Sequence, residues 1–243
     1  MPTTPIVPYS GSDASKKDQV ATMFNNISFR YDILNRLLSF GIDIWWRKKA
    51  VAQLREVNPD LLLDIATGTA DLAIEALSLR PGKIIGIDIS EGMLEIGRKK
   101  LIQRGLQEKI ELLTGDSEKL RFPDNHFDAV MVSFGVRNFE NLETGLAEIH
   151  RVLKPGGKLM ILEFSKPKNI IIKVLYNFYN QTLLPAAGRL ISGDTAAYSY
   201  LPASVEAFPE GDSFLKILTS QGFGRAKALP LTFGISSIYT GYK

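Results

Sequence analysis

The chain has no cysteine in its 243 residues. That excludes disulfide scaffolds, thiolate zinc sites and covalent catalysis through a thiol. It also excludes the carbon methyltransferases that attack a pyrimidine ring with a cysteine. Histidine is scarce as well: only His126, in a Pro-Asp-Asn-His turn, and His150, beside Arg151 on a helix, are present. Both suit packing or surface roles, and with no metal-ligand spacing in view no metal is expected. Long apolar runs are missing. The longest, Ile170 to Tyr176, contains Lys173, and a membrane span needs about 20 mainly apolar residues. The first residues lack the basic start and apolar run of a secretory signal, so a cytoplasmic location is expected. Net charge is only +3. The clusters Arg47-Lys48-Lys49 and Arg98-Lys99-Lys100 are read as solvated helix faces, with attraction to an anionic membrane surface as the weaker reading. No recognition motif accompanies them, so no nucleic-acid partner is expected.

What is present is an ordinary globular composition, 45% hydrophobic and 23% charged, in a length suited to one large α/β domain. Residues 1–15 are expected to be a flexible lead and 16–243 a single domain. From 16 to 57 apolar residues recur at helical spacing (Val20, Met23, Phe24, Ile27, then Ile33, Leu34, Leu37 and Leu38), which predicts a helical cap ended by Asn58-Pro59. Short apolar runs then alternate with helical patterns. Strands are predicted over 61–65, 83–88, 110–113, 127–132 and 158–163, and helices over 71–79, 91–105 and 142–153. Such alternation means parallel strands covered on both faces and, by the right-handed crossover rule, a doubly wound sheet. An apolar helical insert is expected over 168–200, lying above the active site. A helix near 210–221 and two strands near 224–232 and 235–242 follow it.

The first strand runs into Asp64-Ile65-Ala66-Thr67-Gly68-Thr69-Ala70-Asp71, a tight strand-to-helix turn. Gly68 lets the backbone approach a ligand, and Thr69 and Asp71 can cap the following helix. Asp64 is either a buried strand-end acid or a ligand contact. The glycines of a dinucleotide phosphate cradle are absent, because Ala66 and Ala70 stand in their places. Asp88 ends the second strand, twenty residues after Gly68, where a carboxylate accepts both hydroxyls of a ribose. Asp116 follows the third strand and can accept from an adenine amine, with the Ser117 N–H serving the ring nitrogen. Sugar-binding and adenine-binding groups without a pyrophosphate site favour S-adenosylmethionine over NAD.

Three stretches, 64–71, Gly86-Ile87-Asp88-Ile89-Ser90-Glu91-Gly92-Met93-Leu94, and His150-Arg151-Val152-Leu153-Lys154-Pro155-Gly156-Gly157-Lys158-Leu159, resemble class I methyltransferase motifs. Four more narrow the likeness: Met23-Phe24 through Arg30-Tyr31-Asp32, Ser133-Phe134-Gly135-Val136-Arg137-Asn138, Leu162 through Pro167, and Tyr198-Ser199-Tyr200-Leu201. Together they closely resemble the C-methyltransferases of menaquinone and ubiquinone biosynthesis, from Lys16 onward. The resemblance implies a Rossmann-like class I fold, with a mainly parallel seven-stranded sheet and an antiparallel last strand. It implies S-adenosylmethionine contacts from Thr69, Asp88, Asp116, Ser117 and Ser133, a polyprenyl quinol as substrate, and a homodimer. The doubled alanine around Gly68 departs from the more glycine-rich turns of many relatives and predicts a stiffer turn.

A ring carbon is a weak nucleophile until an adjacent hydroxyl gives up its proton, which a hydroquinone can do and a quinone cannot. Arg137 and Asn138 follow the fourth strand, where the methyl group is expected. Guanidinium stays protonated, so Arg137 is expected to stabilise the phenolate or polarise a water that takes the proton. Asp71 would hold that water or orient Arg137, and Asn138 would meet the ring oxygen. A loop-capping salt bridge is the simpler alternative for Arg137. The apolar stripe of 170–178 is read as core packing or as a groove for a prenyl tail at the bilayer surface. Demethylmenaquinol is preferred over the ubiquinone-pathway benzoquinol because the amino terminus carries no visible transit signal. Other small-molecule methylation, a NAD-linked reductase and a catalytically idle scaffold of a quinone-synthesis complex are the competing readings.

Overall fold

The computed structural model describes residues 6–178 and 195–243. The apolar insert expected over 168–200 therefore lies partly outside the described residues. Seven strands form one sheet: β1 (Leu61–Ile65), β2 (Lys83–Asp88), β3 (Ile110–Thr114), β4 (Phe127–Ser133), β5 (Leu153–Phe164), β6 (Gly224–Leu231) and β7 (Ser236–Tyr242). Their order is β3-β2-β1-β4-β5-β7-β6. Neighbours among β1 to β5 pair in parallel, while β7 is antiparallel to both β5 and β6. The winding direction reverses between β1 and β4, and the crevice outside their carboxyl ends is where such sheets bind ligands.

The helices are α1 (Lys16–Leu38), α2 (Ile42–Ala52), α3 (Asp71–Ala76), α4 (Glu91–Arg104), α5 (Leu142–Val152), α6 (Ile170–Phe178), α7 (Thr195–Ala207) and α8 (Asp212–Ser220). Successive strand residues face opposite sides, which is why the strands are apolar throughout. Leu62, Met131 and Met160 pack with Ala50 and Val51 of α2, Ala73 of α3 and Leu94 of α4. Leu63, Val130 and Ile161 pack on the other face with Ile149 of α5 and Phe214 of α8. A third cluster, Val20, Met23 and Ile27 of α1 with Met93 and Tyr200, seats the amino-terminal helix over the sheet's carboxyl edge. Ile6 and Tyr9, ahead of α1, pack against it.

The fifth strand begins earlier than the apolar pattern predicts, at Leu153 rather than Lys158. Leu153 pairs with Phe127 and Lys158 with Ala129, so residues 154–157 loop out against Asp128 alone. Gly156 takes a left-handed φ of 80° there. A Cβ on Gly157 would come within 2.8 Å of the Lys154 carbonyl. The Lys-Pro-Gly-Gly motif is thus a bulge at the sheet's amino edge, away from the ligand crevice.

Candidate active site

The turn after β1 is wound tightly. Ala66, Gly68 and Ala70 all adopt left-handed φ, at 53°, 56° and 67°, so two alanines hold a conformation that glycine would adopt without strain. Two carboxylates fix the turn. The Gly68 N–H donates to Asp88 Oδ2 at 2.8 Å, and Asp88 Oδ1 accepts from the Ser90 N–H at 2.8 Å. The Thr67 hydroxyl donates to Asp64 Oδ2 at 2.6 Å, while Asp64 Oδ1 is buried with no hydrogen-bond partner among the described residues. Burial raises the pKa of Asp64 to about 7 and that of Asp88 to about 6. A Cβ built on Gly68 would meet nothing within 4 Å, so this side of the turn is open to a ligand.

At the end of β3 the loop places Asp116 and Ser117 beside the same opening. Asp116 Oδ1 accepts from the Glu118 N–H at 2.9 Å, and its Oδ2 pairs with Lys17 of α1 at 2.6 Å. From the end of β4, Ser133 closes the far side. Gly135 has to be small: its Cβ would fall 2.6 Å from the Cβ of Ala66. That close approach is the physical reason for the glycine in Phe-Gly-Val-Arg-Asn.

Helix α1 straps this crevice through polar ties along its length, beginning with Lys16, whose Nζ donates to the Arg137 and Phe139 carbonyls at 3.2 and 2.7 Å. Lys17 binds Asp116 at its start. Asn25 Oδ1 accepts from the Ser90 hydroxyl at 2.7 Å and from the Gly92 N–H at 2.9 Å in its middle. Near its end, Asp32 accepts from the Thr69 hydroxyl at 2.6 Å and pairs with Lys100 at 2.8 Å. Lys100 also binds Asp71 at 2.5 Å, and Arg47 spans Asp43 and Asp71 at 2.8 and 3.3 Å. The two basic clusters are therefore not wholly solvated faces, as their sequence predicts: Arg47 and Lys100 turn inward, while Lys48, Lys49 and Lys99 stay exposed.

Two cavities meet here. A narrow one is bordered by Asp88, Asp116, Ser117 and Asn138. A large one of about 820 Å³ is bordered mostly by apolar side chains, with Asp64, Thr69, Asp71 and Arg137 among its polar ones. Phe24, Tyr31, Ala66, Gly68, Ser133 and Phe134 border both. Of the predicted cofactor contacts, Asp88, Asp116, Ser117 and Ser133 share the narrow cavity with Gly68, whereas Asp64 and Thr69 face the large one.

Of the predicted catalytic residues, Arg137 and Asn138 both donate to the Phe134 carbonyl. Arg137 and Asp71 border the same large cavity, but Asp71 is ion-paired elsewhere. Arg137 donates to Glu163 Oε1 at 2.8 Å and to the Phe134 carbonyl, and Arg137 Nε is buried without a partner among the described residues. Asp71 is paired with Lys100 and Arg47 instead. Burial alone would raise its pKa, but those two cations hold it below the ordinary value, which makes it a poor base. Asn138 donates weakly to the Phe134 carbonyl at 3.4 Å, and its Oδ1 has no partner among the described residues. Glu163 is wholly buried, and burial raises its pKa against the opposing pull of Arg137. Glu163, Lys100, Asp32 and Tyr200, none of them a site residue expected from the sequence, border or brace the large cavity. The histidines are elsewhere: His126 packs on Phe127 with ring centres 4.8 Å apart, and His150 on Phe223 at 5.2 Å.

The polar groups fit S-adenosylmethionine. Asp88 suits the ribose, Asp116 and Ser117 suit the adenine, and the unpaired Asp64 oxygen suits the ammonium of the methionine part. Comparison with known proteins agrees with that chemistry. A model of the ubiE/COQ5 methyltransferase family matches residues 12–243. A demethylmenaquinone methyltransferase of Bacteroides fragilis is 46% identical over 100% of this chain and 99% of its own length. A ubiquinone/menaquinone biosynthesis C-methyltransferase of Geobacter sulfurreducens is 44% identical over 94% of this chain and 90% of its own. Among solved structures, a SAM-dependent methyltransferase of Thermotoga maritima shares the fold with a TM-score of 0.62 at 19% identity, covering 91% of this chain and 99% of that one. A Haemonchus contortus phosphoethanolamine N-methyltransferase in complex with S-adenosyl-L-methionine aligns with a TM-score of 0.58 at 16% identity, over 87% of this chain and 59% of that one. This chain, which has the fold of class I S-adenosylmethionine-dependent methyltransferases, belongs to the ubiE/COQ5 methyltransferase family.

Proposed function

We propose that this chain methylates a ring carbon of demethylmenaquinol, consuming S-adenosylmethionine and giving menaquinol and S-adenosylhomocysteine. The observation that carries this reading is the junction of the two cavities. A narrow pocket of strand-end acids opens past Ser133 and Phe134 into an apolar chamber large enough for a bicyclic ring with a prenyl tail. S-adenosylmethionine, when bound, would supply an electrophilic methyl group. Asp88, Asp116 and Ser117 would hold its nucleoside and Asp64 its ammonium, while Thr69, braced by Asp32 and Lys100, keeps the turn in place.

On the substrate side Arg137 supplies fixed positive charge beside the quinol oxygen that loses its proton. The oxygen's proton passes to water, electron density moves to the ring carbon, and that carbon takes the methyl. Its own hydrogen then leaves as a proton and the oxygen regains one, so that menaquinol forms with one proton released per turnover. Glu163 holds the guanidinium in position, and oriented charge of this kind stabilises a developing phenolate without reorganisation. Asn138 Oδ1, without a partner among the described residues, faces the narrow cavity instead. Asp71, kept ionised by Lys100 and Arg47, is suited to holding a water rather than to taking a proton.

The rim of the large chamber supports contact with a membrane surface. Phe40 and Phe233 border it and are 86% and 77% exposed. Such a rim would let a tailed quinol pass from lipid to chamber.

Methyl transfer from labelled S-adenosylmethionine to reduced demethylmenaquinone, with the demethylated benzoquinol in parallel, tests the function. Label in menaquinone is the expected result. Label in the benzoquinol alone would move the substrate to the ubiquinone pathway, and label in neither would overturn the reading.

A further inference from the structure

Four buried side-chain polar atoms have no hydrogen-bond partner among the described residues: Asp64 Oδ1, Arg137 Nε, Asn138 Oδ1 and Tyr200 Oη. All four residues border the two cavities. Leaving a buried donor or acceptor unpaired is costly, and native structures rarely do so without a reason. Their confinement to one site marks them as groups that a ligand completes. Asp64 and Asn138 present acceptors. Arg137 Nε–H and the Tyr200 hydroxyl are the donors, and both border the large chamber rather than the narrow cofactor cavity.

Tyr200 lies on α7 and is 4% exposed. Val20, Met23 and Ile27 of α1 and Met93 of α4 pack with it, so its ring is fixed from the side of the strap helix. Arg137 and Glu163 are near enough for their charges to act on its hydroxyl. A phenol ring in such an apolar cluster could be served by phenylalanine, and the hydroxyl therefore needs its own explanation. We propose that Tyr200 is a catalytic residue, its hydroxyl donating a hydrogen bond to the quinol oxygen next to the methylated carbon, so that Tyr200 and Arg137 Nε–H form a two-donor site for the phenolate. The inference rests on the quinol-methylating function proposed above. No proton leaves Tyr200 in this role. Burial raises its pKa to about 12, which keeps it protonated, and thus a donor, throughout the neutral range.

The test is Tyr200→Phe in the full chain, assayed for methyl transfer to reduced demethylmenaquinone alongside the parent. Loss of one such donor lowers kcat by roughly 10²–10³-fold where the donor serves a full oxyanion. For a delocalised phenolate a fall of about 10–100-fold is expected. KM for S-adenosylmethionine should stay within about twofold, because Tyr200 does not border the nucleoside pocket. The limb of the kcat–pH profile that reports ionisation of the quinol should move to higher pH. Tm should hold or rise, since the substitution removes only an unpaired buried hydroxyl. A variant with kcat within twofold of an active parent would overturn the inference and leave the function standing. So would a lowered kcat that comes with a lowered Tm and an unmoved pH profile. A parent inactive on both quinols would overturn the function and this inference together.

Discussion

Asp64 occupies a position where the fold works against its charge. It is 1% exposed, and burial lifts its pKa from an ordinary 3.8 to about 7, so between about pH 4 and 7 the folded protein holds a proton that the unfolded chain has released. The sign follows from linkage: this group makes the ligand-free protein less stable as pH rises through that window. A cationic ligand reverses the preference, because an ammonium beside Oδ1 favours the carboxylate. Binding of S-adenosylmethionine should therefore expel one proton at low pH. Affinity is expected to climb by about tenfold per pH unit from pH 5.5 and to level off near 7. Asp64→Asn should bind more weakly at pH 8 and show a much flatter dependence, since only Asp88 then titrates in the range. Calorimetric titration across pH 5.5–8 checks this. Parallel curves for the two proteins would show that Asp64 does not meet the ammonium.

The elements that position these groups differ in how openly the sequence declares them. Strands β1, β2 and β4 lie within one residue of their predicted limits because continuous apolar runs bounded by turn residues leave few alternatives. Asp88 and Asp116 were readable as strand-end acids by the same logic, and Glu163 could have been, since it stands near the carboxyl end of β5 in Leu162-Glu163-Phe164. Lys100, Asp32 and Tyr200 had no such signal. Each reaches the site from a helix whose placement depends on long-range packing, and periodicity says which face is apolar, not which cavity a side chain borders. Helix α1 shows the consequence. Its apolar stripe predicts a helix, but its function as a strap rests on Lys17, Asn25 and Asp32, which are ordinary polar residues in the sequence. Asn25 is the most telling, for it satisfies a free N–H in the first turn of α4 in the manner of an N-cap. Asn25→Ala should cost about 1 kcal/mol and lower Tm by about 2–4 °C. It should also speed release of S-adenosylmethionine several-fold in stopped-flow experiments, because the strap loses its middle tie. A lowered Tm with unchanged release would mean that α1 braces the domain without governing the cofactor.

For the whole molecule the question is how a substrate with a long apolar tail reaches a crevice at the edge of a sheet. No helix among the described residues is long and apolar enough to cross a membrane. Helix α6 is apolar on more than the side it needs for packing. Ile172 and Tyr176 border the large chamber, while Ile170, Ile171 and Val174 are 72%, 67% and 62% exposed. A helix that turns one apolar side to a cavity and another to water is placed for a second apolar phase. Phe40 and Phe233 extend the same rim, exposed Lys173 sits within it, and the net charge is +3. An anionic bilayer matches both features, with each burying aliphatic side chain contributing at most about 1.5–3 kcal/mol and each nearby basic residue about 1 kcal/mol. The chain is therefore expected to sediment with phosphatidylglycerol vesicles, more weakly at high salt. Ile171→Glu with Val174→Glu should reduce the bound fraction at least tenfold. The same pair should raise KM for a long-tailed quinol in vesicles, yet leave turnover of a tail-less naphthoquinol in solution close to that of the parent, because neither residue borders the chamber. Equal sedimentation of parent and double variant would remove α6 from the membrane contact, and failure of the parent to bind vesicles containing the quinol would end the proposal of surface docking.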